Sequence, residues 1–158
     1  MTDRRPDPPR IDSANPADLV SFGGPVDRVT ASLRFFGDDL DPEEMSLALG
    51  CQPTSAFRKG EQIPGRYRRS ANIGSWLLDA PSTDPPDVEE AIKGLLASVS
   101  SDLRVWRDLT ARFSADVFCG LFLDQVNRGF ELSPSLSQEL AARNLAVGFD
   151  IYGPGRSE

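Results

Sequence analysis

Two tripeptides far apart in the chain, Leu40-Asp41-Pro42 and Leu132-Ser133-Pro134, carry the same instruction. Each places a capping residue ahead of a proline at the first helical position. The cap's side-chain oxygen accepts from N–H groups that the first turn leaves unpaired. The proline has no N–H to lose there, and its fixed φ suits the helix. Behind the first tripeptide come Met45, Ala48 and Leu49, then a stop at Gly50; behind the second come Leu136, Leu140 and Ala141, then a stop at Asn144. Glycine and asparagine both tolerate the left-handed conformation that ends many helices. Strand-like runs flank both helices. The pattern predicts an α+β domain with an internal strand–helix–strand duplication, and it names no activity.

The strands announce themselves by alternation. Val29, Ala31, Leu33 and Phe35 share one side of a run whose other side is Thr30, Ser32, Arg34 and Phe36. Gln52-Pro53-Thr54 is a turn, followed by a short, weakly marked strand over 55–59. Residues 60–72 read as a polar connection containing Pro64 and Gly65. Residues 73–80 read as a strand apolar on both faces, which suggests an interior place in the sheet. Val88, Ile92, Leu95, Leu96 and Val99 then mark one helical face, the cleanest periodic signal in the chain. Ser100-Ser101-Asp102 recaps a further helix carrying Leu103, Trp106 and Leu109. The longest strand runs over 113–123 and the last over 146–152. The predicted architecture is a mainly antiparallel sheet of four to five strands with helices packed on one face, ferredoxin-like or ACT-like.

Of the 158 residues, 1–25 read as a disordered tail rich in proline and charge, 26–153 as a single domain, and 154–158 as a flexible end. No apolar run follows the early arginines, so the tail does not read as a signal peptide, and no stretch is long and apolar enough for a membrane span. The expectation is a soluble, cytoplasmic protein without a membrane partner. The absence of histidine is the strongest exclusion. It removes the usual Ser-His-Asp and Cys-His nucleophiles, histidine-ligated zinc and the customary neutral-pH base. Cys51 and Cys119 lack metal-ligand spacing and read as reduced thiols. The net charge of −7 disfavours nucleic acid, because phosphate repulsion opposes the term that dominates such binding.

One segment runs against the overall charge. Arg58, Lys59, Arg66, Arg68 and Arg69, with Tyr67 among them, face a single acid, Glu61. Arginine forks match carboxylates and phosphates, so this segment is the candidate binding surface for an acidic protein partner or an anionic small molecule. The bland alternative is a solvated loop that balances neighbouring acids. The acids Asp38, Asp39, Asp41, Glu43 and Glu44 invite a divalent-cation reading, but they lack the calcium-loop glycine and suit the positive end of a helix. No metal or cofactor is expected. Trp76 and Trp106 lie on apolar faces and read as core. Phe36, Phe118, Phe122 and Tyr152 fall opposite the helix-covered side, where an apolar patch would suit a partner or a homodimer.

Several pieces of this chain resemble a bacterial family called domain of unknown function 4279. They are the early strand leading into Gly37-Asp38-Asp39-Leu40-Asp41-Pro42, then Leu49-Gly50-Cys51-Gln52-Pro53-Thr54 with Gly60 beyond it. Trp76 and the closing Leu132-Ser133-Pro134 helix running into Asp150-Ile151-Tyr152 complete the set. The resemblance spans about 29–152. It implies a small α+β domain and brings no catalytic residues or cofactor with it. The reading that follows is an uncharacterised, non-catalytic binding or protein-interaction domain, of immunity or regulatory type, using the basic loop and an exposed sheet face. The alternatives are an ACT-like small-molecule sensor and a small enzyme using carboxylates such as Asp38 or Asp39 with Asp150.

Overall fold

The computed structural model describes residues 24–155. The tail expected over 1–25 therefore lies outside the described residues up to residue 23, as do 156–158. The elements follow in the order β1 (Arg28–Gly37), α1 (Pro42–Leu49), β2 (Ser55–Phe57), β3 (Gln62–Ile63), β4 (Arg69–Ser70), β5 (Gly74–Asp79), α2 (Val88–Ala97), α3 (Leu103–Arg112), β6 (Ser114–Phe122), α4 (Pro134–Ala142) and β7 (Ala146–Tyr152). β2-β5-β1-β6-β7 form one five-stranded sheet, and β3 and β4 form a separate two-stranded ribbon. β1 pairs antiparallel with β5 and with β6, β2 pairs antiparallel with β5, and β7 pairs parallel with β6.

Both proline-led helices form where their caps place them. The Asp41 carboxylate accepts from the Glu43 N–H at 2.8 Å, and the Ser133 hydroxyl oxygen accepts from the Leu136 N–H at 3.2 Å. Gly50, at φ 76°, and Asn144, at φ 55°, end them in the left-handed region. The two halves are nevertheless not copies in space. A parallel neighbour needs a crossover, and α4 supplies it between β6 and β7. α1 also returns the chain to a strand running the same way as β1, but that strand, β2, is separated from β1 by β5.

One core serves all four helices. Met45 and Leu49 of α1, Ile92 and Leu95 of α2, Trp106 and Leu109 of α3, and Leu136 and Leu140 of α4 are buried with Leu33, Phe35, Trp76, Val117, Cys119 and Leu121 of the sheet. Those sheet residues alternate along their strands, so the helices pack on a single face. Phe35 meets Trp76 edge-on at 6.1 Å between ring centres and lies 5.8 Å from Trp106. Each buried indole finds an acceptor: Trp76 Nε1 donates to Ser46 Oγ at 3.1 Å, and Trp106 Nε1 donates to the Ser100 carbonyl at 2.7 Å. The tryptophans are core, as their positions on apolar faces predict.

The sequence reading departs from the structure mainly at 55–72. β2 stops at Phe57, short of Lys59, and the connection read as a loop folds into the β3–β4 hairpin. Gly60 N–H donates to the Ala71 carbonyl at 2.7 Å and Ala71 N–H to the Glu61 carbonyl at 2.8 Å, which anchors its base. The hairpin strands are polar and mostly exposed, so they carry no period-2 hydrophobic signal to detect.

Candidate functional site: the arginine hairpin and the open sheet face

The basic segment divides into two parts. Arg58 and Lys59, just past β2, turn back onto the acidic start of α1. Arg58 Nη2 lies 2.9 Å from Asp41 Oδ1 and 3.9 Å from Glu43 Oε1, and Lys59 Nζ lies 2.7 Å from Asp38 Oδ2. The Arg58 guanidinium, and after it the Glu43 N–H, hold the Asp41 carboxyl below its ordinary value. Farther along the cluster, Arg112 Nη1 reaches Glu44 Oε1 at 2.7 Å. The acidic run is thus a capped and charge-paired helix start. Among the described residues, no group of three or more acidic, cysteine or histidine side chains is placed to hold a metal ion.

Arg66, Tyr67, Arg68 and Arg69 occupy the β3–β4 hairpin, and all four are exposed. Tyr67 is 75% exposed, which leaves its ring free to cover a partner. Among the described residues, neither a hydrogen bond nor an ion pair engages the side chains of Arg66, Arg68 or Arg69. Gln62, Ile63, Pro64, Gly65, Tyr67, Arg68 and Ser70 line an open depression of about 660 Å³ on this hairpin. The six residues marked by sequence are therefore not one site. Two are committed to intramolecular pairs, and the other four share a hairpin.

The sheet face away from the helices is only partly apolar. Phe36, Phe118, Phe122 and Tyr152 lie on it, but arginines cover much of the ring surface. Arg34 Nε and Nη2 grip Asp116 Oδ1 and Oδ2 at 2.8 and 2.7 Å. The same guanidinium lies 4.3 Å from the Phe118 ring centre and 5.5 Å from that of Phe36. Asp116 raises the Arg34 pKa above its ordinary value. Arg28 lies 3.4 Å over the Phe122 ring, which stacks on Tyr152 at 4.8 Å. Such cation–π contacts are worth about 0.5–1 kcal/mol each at exposed sites. Sequence reasoning missed the Arg34–Asp116 clamp. Both residues sit on the polar side of their strands, and the β1–β6 register is what sets them opposite one another.

The carboxylates offered for catalysis are not brought together. Asp150 stands at the Gly120 level of the sheet, opposite Thr30, whereas Asp38 and Asp39 follow the far end of β1. At about 3.3 Å per residue, that separation is about 25 Å. Asp150 instead accepts from the Tyr152 hydroxyl. Cys119 is fully buried and its thiol is pushed up to about 11 by burial; Cys51, half-buried, is shifted upward for the same reason. Neither resembles an activated nucleophile. Arg143 is 7% exposed, lies 5.7 Å from the Trp106 ring centre and leaves Nε without a partner. Its burial carries no sequence signal, because it sits at the end of α4 where a solvated cation is the ordinary expectation.

Comparison with curated proteins finds no match, and comparison with solved structures finds none either. A protein-family model described as Domain of unknown function (DUF4279) matches residues 27–154. That span holds every element from β1 to β7, the arginine hairpin included, and the chain belongs to the DUF4279 family.

Proposed function

We propose that this chain is a non-catalytic binding domain that captures an acidic partner through Arg66, Arg68 and Arg69, with Tyr67 supplying contact area. One observation carries the reading. Lys59 and Arg58 are neutralised by Asp38 and Asp41, whereas the three hairpin arginines are exposed and have no ion-pair partner among the described residues of a molecule of net charge −7. Unpaired guanidinium forks are suited to carboxylate or phosphate groups, and binding adds charge-assisted hydrogen bonds without first breaking an internal ion pair. The partner of best fit is an acidic protein surface, consistent with an immunity-type or regulatory role in the cytoplasm. A small anionic ligand would use the same groups.

The test is titration of the full chain with a polyglutamate peptide and, separately, with inorganic pyrophosphate, followed by Tyr67-region fluorescence and calorimetry. Replacing Arg66, Arg68 and Arg69 together by Glu should abolish binding and leave the melting temperature near that of the parent, since among the described residues these side chains make no hydrogen bond or ion pair to lose. Binding by the parent should weaken steeply with added salt. Polyglutamate binding alone favours a protein partner, and pyrophosphate binding alone favours the small ligand. Equal binding by the parent and the triple variant would end the proposal.

A further inference from the structure

The two edges of the main sheet are treated differently. β2, at one edge, has three residues, and so short a strand offers little to an incoming chain. β7, at the other, has seven residues and pairs with β6 along its whole length without a bulge. Among the described residues no further strand pairs with its outer side. Ala146–Tyr152 contains no lysine, arginine or proline, and its apolar side chains are exposed: Phe149 at 36%, Ile151 at 58% and Tyr152 at 48%. Natural proteins usually protect such an edge, so a long one with exposed apolar side chains and no lysine, arginine or proline is a pairing surface.

The backbone says which groups are free. Leu123 N–H donates to the Tyr152 carbonyl at 2.8 Å, so Tyr152 turns its backbone groups toward β6. By the alternation of a strand, Asp150 and Gly148 do the same. Val147, Phe149 and Ile151 then turn their N–H and C=O groups outward.

We propose that β7 pairs antiparallel with β7 of a second copy of this chain, centred on Phe149, so that the two sheets become one. In this register Phe149 exchanges both backbone bonds with Phe149 of the partner subunit, and Val147 exchanges both with Ile151 of the partner subunit. Every outward group on the strand is met. Centring the pair one residue later sets Asp150 against Asp150 of the partner subunit, a like-charge contact. Centring on Phe149 sets the only charge of the strand, Asp150, opposite Gly148 of the partner subunit. Val147, Phe149 and Ile151 from both copies then lie on the helix-covered side, beside Phe130, whose ring packs 4.9 Å from Phe149. Such a two-fold contact is self-complementary and closes, so it stops at a dimer. This surface is separate from the arginine hairpin, and the two respond oppositely to salt. Two copies of charge −7 repel, so added salt should tighten the dimer, whereas it weakens capture of an acidic partner.

Sedimentation velocity of the full chain across the micromolar range tests the pairing. A monomer–dimer equilibrium is expected. Ile151→Lys places a solvated cation on the edge and should give a monomer with an unchanged circular dichroism spectrum. Gly148 sits on the open face with its nearest non-neighbour, Phe118, at 3.5 Å from where a Cβ would be, so side chains fit there. Gly148→Asp would face Asp150 of the partner subunit at both symmetric positions and weaken association by about tenfold, while Gly148→Lys, of opposite charge, should tighten it. A monomer at every concentration, a dimer indifferent to Ile151→Lys, or equal behaviour of the two Gly148 variants would overturn the proposal.

Discussion

Gly74 is where two strands and a loop come closest, and its replacement tests how β1, β5 and the start of α1 are held together. It pairs with Gly37 across the β1–β5 ladder. A Cβ at Gly74 would lie 2.6 Å from the Gly37 carbonyl oxygen, 3.0 Å from Leu40 Cβ and 3.1 Å from the Leu40 carbonyl oxygen. Two of these atoms belong to the backbone, so no side-chain rotation relieves the contact. The strands must part, or the turn that carries Leu40 under the sheet must shift, and Leu40 is 2% exposed. Overpacking of this kind typically costs about 1–3 kcal/mol. For a domain of this size, Gly74→Ala should lower the melting temperature by about 3–10 °C. Gly94 is the matched control. It lies inside α2, and a Cβ there meets nothing within 4 Å. Gly94→Ala should therefore raise stability by up to about 1 kcal/mol, because alanine is the better helix former. Urea and thermal unfolding followed by circular dichroism read both variants. Equal midpoints for the parent and Gly74→Ala, or a destabilised Gly94→Ala, would refute the reasoning.

Two further outcomes follow from ionisable groups. Glu89 is lowered to about 2, first by the Lys93 ammonium, 2.6 Å away, and then by the Ser133 N–H. Its folded value lies below the unfolded one, so the stability it contributes is present above about pH 4.5 and is lost as pH falls through about 2. An acid titration of the melting temperature should show that loss, and Glu89→Gln should flatten it. Burial pushes both thiols upward, so a thiol reagent near neutral pH should label Cys119 only on unfolding and Cys51 slowly, whereas urea exposes both; rapid native labelling of Cys119 would contradict the packing of β6.

The regular elements were legible because local chemistry writes them. Asp41, Ser133, Gly50 and Asn144 end their helices by capping and left-handed geometry, which involve only near neighbours. The stripe from Val88 to Val99 and the alternations of β1, β6 and β7 likewise follow from a period that each segment states by itself. The basic segment stood out as a charge anomaly, which is also a property of sequence alone. Its division was not visible. Arg58 and Lys59 meet Asp41 and Asp38 across a distance in sequence that only the return of β2 beside β5 closes.

What the sequence by itself determined is therefore an α+β chain with capped helices, one-sided strands, no histidine chemistry and a concentrated positive segment. Tertiary structure alone decided that the two proline-led halves differ, one returning past β5 and the other beside β6. It also decided that Arg34 clamps Asp116 over the open face, that Asp150 stands far from Asp38, and that β7 is the long edge strand of the sheet. The physical reason is common to all of these. Caps and periodicity act over a few residues, whereas strand order and register depend on the summed burial of every element at once, and charges find partners only after that order is set.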